Sequence, residues 1–268
     1  MKKILLVFLC VGFTACQRSA DNVANTYNTP KESSKILPKL IKVEEKGYDR
    51  LANCTPYNYN EITSYKYDSD NNLISSTSSN NDRVTYFNHS EGTLDNVTFS
   101  HYPLTSMKFY YTGNKVTEVR YIAPIGWHTQ SDVVRYISLK YDSNGKLTDV
   151  HFRTPKFNSE HVEHILYKGN EISRISTLQG DYNYEYETKY NPFKNLSEPV
   201  KIAFALIDGG NSFRIEDDNY IGFWGEYMLK QTNTNNTYKA NNYISEMYKS
   251  NISDCSNNSY IRVNIEYN

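Results

Sequence analysis

Leu139-Lys140-Tyr141-Asp142-Ser143-Asn144-Gly145-Lys146-Leu147 is the stretch from which the fold is read. Ile137, Leu139 and Tyr141 alternate with polar residues, the period of a strand with one buried face. Asn144-Gly145 then supplies a residue that accepts positive φ, and Leu147 restarts the apolar pattern, so the unit is a β-hairpin.

The unit recurs on both sides. It is found at Tyr65-Lys66-Tyr67 to Leu73, Tyr110-Tyr111 to Val116 and Leu166-Tyr167 to Ile172, with a degenerate copy at Tyr238 to Ile244. The tyrosine-to-aliphatic spacing is six residues with DSNGK-like turns and five with TGNK-like turns, as two loop lengths require. In the outgoing arms an apolar pair recurs at i, i+3: Leu94/Val97, Val116/Val119, Leu147/Val150, Ile172/Ile175 and Ile244/Met247. An odd offset would point the pair to opposite faces of a flat strand. Either the first residue packs over the turn, the preferred reading, in which it and the tyrosine clasp the hairpin, or a bulge follows it. One segment departs: Ser197 precedes Glu198-Pro199, the signature of a helix start, and a short helix is expected over 198–206, ended by Asp208-Gly209-Gly210-Asn211.

The ordered hairpins, the Asn191-Pro192-Phe193-Lys194-Asn195 stretch, the Asp208-Gly209-Gly210 turn and the closing Tyr260 to Tyr267 strand together resemble the YD-repeat-like lipoproteins of Bacteroidota, a domain of unknown function with a porin-like fold. The resemblance runs from about Leu37 to Asn268. It departs at Tyr220 to Lys230, which fits no repeat, and at Tyr86 to Leu94, where the turn is longer. It implies an all-β, curved antiparallel meander that can close toward a barrel, and it carries over no catalytic residue. Arms such as Leu139-Lys140-Tyr141 are too short and too rich in Lys and Asn for lipid-facing strands, so a domain that needs no detergent is expected.

The N-terminus reads as an export signal. Lys2 and Lys3 precede an apolar stretch, Ile4 to Phe13, and Phe13-Thr14-Ala15-Cys16 resembles a lipobox. Residues 1–15 are therefore expected to be removed and Cys16 to be lipidated, with residues 16–35 as a polar tether and 36–268 as a single β-rich domain. The tether's roughly 25 Å end-to-end distance would hold the domain off a membrane, expected to be the outer membrane. With Cys10 lost and Cys16 acylated, Cys54 and Cys255 remain, in an oxidising compartment, as the one pair able to form a disulfide. The rival reading makes them small buried apolar residues.

Composition excludes some functions. Of 29 Lys/Arg and 30 Asp/Glu residues only Lys2 and Lys3 precede Cys16, so the remaining chain is slightly acidic and has no basic run for nucleic acid. With 25 Tyr and 11 Phe it has the aromatic area of a folded chain. There is no nucleophile elbow and no phosphate loop. His161-Val162-Glu163-His164 has helical metal-ligand spacing but precedes a strand pattern, where the histidines diverge. Glu216-Asp217-Asp218-Asn219 lacks the spacing of a calcium loop and reads as solvated. No cofactor, metal or catalytic role is expected. The sharper candidate is Tyr220, Phe223, Trp224 and Tyr227, where glycines beside Trp224 would leave a ring uncovered for stacking on a sugar. The expected function is non-enzymatic binding or surface organisation in the cell envelope, with a protein partner unnamed and membrane contact through the lipid alone; the alternative is glycan binding in a nutrient-capture system.

Overall fold

The computed structural model describes residues 35–49, 54–80, 82–124, 131–209, 212–215, 224–230, 234–250 and 259–268. Twelve strands follow one another as a meander: β1 (Pro38–Asp49), β2 (Thr55–Tyr67), β3 (Leu73–Ser78), β4 (Arg83–Ser90), β5 (Thr93–Phe99), β6 (Tyr102–Thr112), β7 (Lys115–Pro124), β8 (Ser131–Tyr141), β9 (Leu147–Thr154), β10 (Ser159–Lys168), β11 (Glu171–Thr177) and β12 (Gly180–Asn183). A separate two-stranded sheet, β13 (Tyr186–Tyr190) with β14 (Tyr227–Leu229), brackets helix α1 (Glu198–Gly209). The chain then returns as β15 (Thr234–Tyr238), β16 (Ile244–Ser250) and β17 (Tyr260–Tyr267) on the far side of β1. The result is one 15-stranded antiparallel sheet, ordered from β12 to β1 and then β17, β16 and β15, and it is not closed. The first and last strands pair, with Ile41 opposite Ile265 and Val43 opposite Val263.

The hairpins settle the i, i+3 question against the preferred reading. Lys140 pairs with Asp149 but Tyr141 pairs with Leu147, so Thr148 is an extra residue on the outgoing arm. The same shift follows Leu73, Leu94, Val116, Ile172 and Ile244. A bulge therefore brings both members of each apolar pair to one face, where Val116, Val119, Leu147, Val150, Ile172, Ile175, Ile244 and Met247 are all buried. The extra residue is usually a hydroxyl: Thr148 donates to the Lys140 carbonyl at 3.3 Å, Ser173 to Leu166 at 3.2 Å and Ser245 to Thr237 at 3.1 Å.

The tyrosines do not clasp their own hairpins. Tyr111 and Tyr67 stand opposite their own aliphatic partners, Val116 and Leu73, but their hydroxyls donate to the backbone of a neighbouring strand, Tyr111 to the Leu94 carbonyl at 2.7 Å and Tyr67 to Pro38 at 2.8 Å; Tyr267 on β17, opposite Pro38, donates likewise to Ile244 at 2.6 Å. Burial pushes all three hydroxyls above the usual phenol range. In the copy with an unusual turn, His89 takes the tyrosine position, with its ring 2.9 Å from the Leu73 carbonyl. Two hairpin tyrosines differ: the Tyr238 hydroxyl donates to the Glu187 carboxylate, and the Tyr141 hydroxyl is buried without a hydrogen-bond partner. The aspartate of the six-residue turns organises the loop: the Asp142 carboxylate accepts from the Asn144 and Lys146 amides at 2.8 and 2.9 Å, while Gly145 takes φ +76°.

Curvature follows from the contacts of α1. The Phe204 ring lies 5.5 Å from Phe87 on β4, and Lys201, one turn earlier, lines a cavity with Glu171 on β11. In a flat sheet β4 and β11 would be roughly 34 Å apart. One helix reaches both because the sheet wraps it, and Val200, Ile202, Ala203, Ala205 and Leu206 are buried there. The helix starts where expected, with the Ser197 carbonyl taking the Lys201 amide at 3.1 Å, and runs to Gly209, beyond the expected 206. On the outer face, Arg120 lies 4.2 Å from the Tyr110 ring and Arg153 lies 4.5 Å from Tyr136, a cation–π ladder across β6 to β9.

The hydroxyl bonds between hairpins carry a measurable share of stability. Tyr111→Phe should lower the unfolding free energy by about 1 kcal/mol in a denaturant titration, while Tyr110→Phe, on the outer face, should stay within about 0.5 kcal/mol of the wild type.

Candidate functional site

Along each strand the inner face is every second residue, and its chemistry changes from one end of the sheet to the other. At the bulged end it is apolar and lies under the helix. Toward the opposite end, Leu139 and Ile137 give way to Arg135 on β8, Phe152 to Thr154 on β9, Ile165 to Glu163 and His161 on β10, and Ile175 to Thr177 on β11. The wrapped sheet thus has an apolar inner face under the helix at one end and a polar vestibule at the other.

Two cavities occupy the vestibule and share Arg135. The first, about 470 Å³, lies between α1 and β4 to β8 and is lined by Thr85, Phe99, Met107, Tyr121, Ile137, Leu206 and Ile207, with Arg83, His101 and Tyr102 where it opens. The second, about 730 Å³, is lined by Thr154, Ser159, His161, Glu163, Thr177, Ser212 and Arg214, beside Phe157 and Leu178. Both volumes fall in the range of small-molecule pockets. Arg135 faces the Tyr121 ring at 6.0 Å, and burial pulls its guanidinium below the ordinary arginine value.

Glu163 ties the chain beyond the helix to the vestibule wall. Its carboxylate, 1% exposed, accepts from the Ser212 hydroxyl at 2.6 Å and the Phe213 amide at 2.7 Å, with His161 Nε2 3.7 Å away. The His161 ring stacks on Phe152 at 4.8 Å. Burial raises the carboxyl's pKa, and the two donors and His161 oppose the rise only in part. His164 points outward to Asp149 at 2.6 Å, so the two histidines lie on opposite faces, as the strand reading requires.

The stacking candidates are placed differently from expectation. Tyr220 and Phe223 lie outside the described residues, as do Glu216 to Asn219 and Cys255. Trp224 is buried, 8% exposed, with the edge of Phe213 against it at 5.4 Å. The expected uncovered ring is therefore not there. The glycine beside it serves another purpose: Gly225 has φ +83°, and a Cβ there would run into the Glu171 carboxylate, whose Oε1 accepts the Glu226 amide at 3.0 Å. Tyr227 is half-buried and stacks on Tyr190 at 5.9 Å. The Trp224 segment is held by Asn191, fully buried, whose amide donates to the Trp224 carbonyl at 2.7 Å and whose oxygen accepts the Phe193 amide at 2.8 Å. Cys54, at φ +58°, immediately precedes β2.

At the bulged end a third cavity, about 480 Å³, lies among Glu171, Lys194, Glu198, Lys201 and Trp224. Burial brings the Lys201 ammonium down to about 8, its Nζ donating to the Lys194 carbonyl at 2.9 Å, while Glu198 pairs with Lys115 at 2.6 Å. These contacts fasten the helix in the trough. Arg135 and Lys201 were not singled out by the sequence. The period of two does place Arg135 on the face of Ile137 and Leu139, and a charge in an otherwise apolar face was the available signal.

No protein-family model matches the chain, and no curated protein matches it. Among solved structures, it is similar to a porin-like protein from Bacteroides uniformis, with 13% identity and a TM-score of 0.41 over 86% of this chain and 98% of that one. A TcdB2-TccC3-Cdc42 structure matches with 13% identity and a TM-score of 0.33, over 78% of this chain but 12% of the other. A Photorhabdus luminescens Tc holotoxin pore matches with 14% identity and a TM-score of 0.32, over 75% and 11%. Likenesses this distant assign neither a family nor a function.

The raised Glu163 pKa has a defined sign. The folded state holds this proton more tightly than the unfolded chain, so wild-type stability falls as pH rises from about 4.5 through the folded value. Glu163→Gln removes that dependence. Urea midpoints from pH 4 to 8 should show the variant gaining on the wild type as pH rises; parallel curves would mean that the carboxyl's burial has no energetic consequence.

Proposed function

We propose that the chain is a lipid-anchored protein of the bacterial cell envelope that acts by binding, without catalysis, and that its ligand occupies the vestibule. The observation that carries the reading is the change of the inner face from apolar to polar, which leaves two cavities meeting at Arg135, whereas the cavity at the bulged end is lined by Lys201 and Glu198, whose contacts fasten the helix. A binding role fits the placement of the vestibule's polar groups. The Ser212 hydroxyl and the Phe213 amide both donate to Glu163, so this carboxylate is engaged in fastening the chain beyond the helix. The glycan alternative loses its ring at Trp224, and nothing at Tyr227 restores it.

The anchor rests on the order Lys2-Lys3, apolar stretch, Thr14-Ala15-Cys16. A Cys54–Cys255 disulfide belongs to the same proposal. Cys54 immediately precedes β2 and Cys255 lies in sequence between β16 and β17, and the pairing of Lys46 with both Asn58 and Tyr260 sets the starts of β2 and β17 beside the end of β1, which supports the reading. Thiol counting on denatured, unreduced protein tests it, two free thiols among Cys54 and Cys255 being the contrary result.

Labelled palmitate should enter the wild type and not Cys16→Ser. In an NMR survey with small-molecule fragments, amide shifts should cluster on Thr85, Tyr121, Arg135 and His161. Equal palmitate labelling would remove the anchor, and shifts confined to the Trp224 to Tyr227 segment, or none, would remove the vestibule as the binding site.

A further inference from the structure

The smaller vestibule cavity has a polarity that selects among ligands. Its depth is apolar, formed by Phe99, Met107, Ile137 and Leu206. Where it opens, the side chains are basic, Arg83 and His101, and Arg135 stands on its wall. No carboxylate is among its described lining residues. A hydrocarbon body fits the depth, and an anion fits the opening, where charge-assisted bonds to a guanidinium are strongest in partly desolvated surroundings.

A second observation concerns the rim. Tyr102, which lines this cavity, is 57% exposed and Leu104, two residues on, 43%, while Phe157 and Leu178, which line the second cavity, are 72% and 79% exposed. Four large apolar side chains held in water at the same end of the sheet mark a surface that apolar matter covers. An amphipathic molecule would meet the rim first and then pass inward.

We propose that this cavity binds a single-chain amphipathic anion, a carboxylate or a phosphate, with its chain against Met107, Ile137 and Leu206 and its head on Arg135. A cavity of 470 Å³ sits at the small end of ligand pockets and suits one hydrocarbon chain, not two. The inference rests on the vestibule being the binding site and adds the chemistry of what enters it.

The test compares dodecanoate, dodecyl phosphate, dodecanol and acetate on the purified protein, below micelle-forming concentrations, by calorimetry and amide NMR. The two anions should bind, dodecanol roughly tenfold or more weakly, and acetate not measurably, because the chain and the charge each contribute. The tighter of the two anions identifies the head group. Arg135→Gln should bring dodecanoate down to the affinity of dodecanol, Arg135→Lys should restore part of the difference, and Lys189→Gln, on β13, should change nothing. Dodecanol binding as tightly as dodecanoate in the wild type, a comparison that needs no variant to fold, would overturn the anion assignment while leaving the vestibule as a binding site. So would an Arg135→Gln protein, folded by circular dichroism, that holds dodecanoate unchanged. If none of the four probes binds while fragments still shift the vestibule amides, the ligand class is wrong and the site stands; silence from both sets removes both.

Discussion

A one-residue bulge, placed at the same height in hairpin after hairpin, is the constraint on which the structure depends. It follows Leu73, Leu94, Val116, Leu147, Ile172 and Ile244, and in all but the first it turns an odd-spaced apolar pair onto a single face. Bulges bend the strand that carries them and increase local twist. Repeated along one end of a meander, they curl that end around whatever can fill it. Tyr67, Tyr111 and Tyr267 lock the curl from hairpin to hairpin, since each hydroxyl ends on a carbonyl of the adjacent strand.

The filling is the segment between β12 and β15. Its helix is apolar where it meets the sheet, its start is fastened by Glu198 to Lys115, and its far side is fastened by Glu163 to Ser212 and Phe213. A single 12-residue helix is roughly 18 Å long, so it cannot line the whole trough. The remaining length is where the inner face becomes polar. Fold and candidate site thus have one cause: strands longer than the helix they wrap.

Much of this was legible in the residues. Alternation around Leu139 and Tyr141, and turns such as Asp142 to Lys146, suffice for the hairpins, because strand period and positive-φ turn chemistry are local properties. Ser197-Glu198-Pro199 likewise marks the start of the helix. The bulges were legible only as an unresolved choice, since the spacing of Leu147 and Val150 fits a bulge or a residue folded over the turn, and only the partner strand separates the two. Trp224 was misread for a related reason. Glycine beside an indole opens space in sequence terms, but here that space is taken by Glu171, which lies 53 residues earlier in the chain and arrives through the curl. Arg135 stands among ordinary strand residues, and Glu163 enters the sequence reading only as part of the His161-Val162-Glu163-His164 strand, because which end of a strand the helix leaves uncovered is a tertiary fact.

The division of the inner face into a dry half and a wet half is best measured by thiol accessibility in the native protein. Single cysteines at Thr85 and Thr154, both half-buried on the inner face toward the vestibule, are compared with cysteines at Val119 and Ala203, both fully buried at the sheet–helix contact. With a small polar thiol reagent, and against the labelling of the parent protein, the first pair should react within the native state. The second should react only as denaturant unfolds the chain. Equal protection of all four would mean that the vestibule is filled, and equal reactivity would mean that the helix does not seat in the trough; either result contradicts the account.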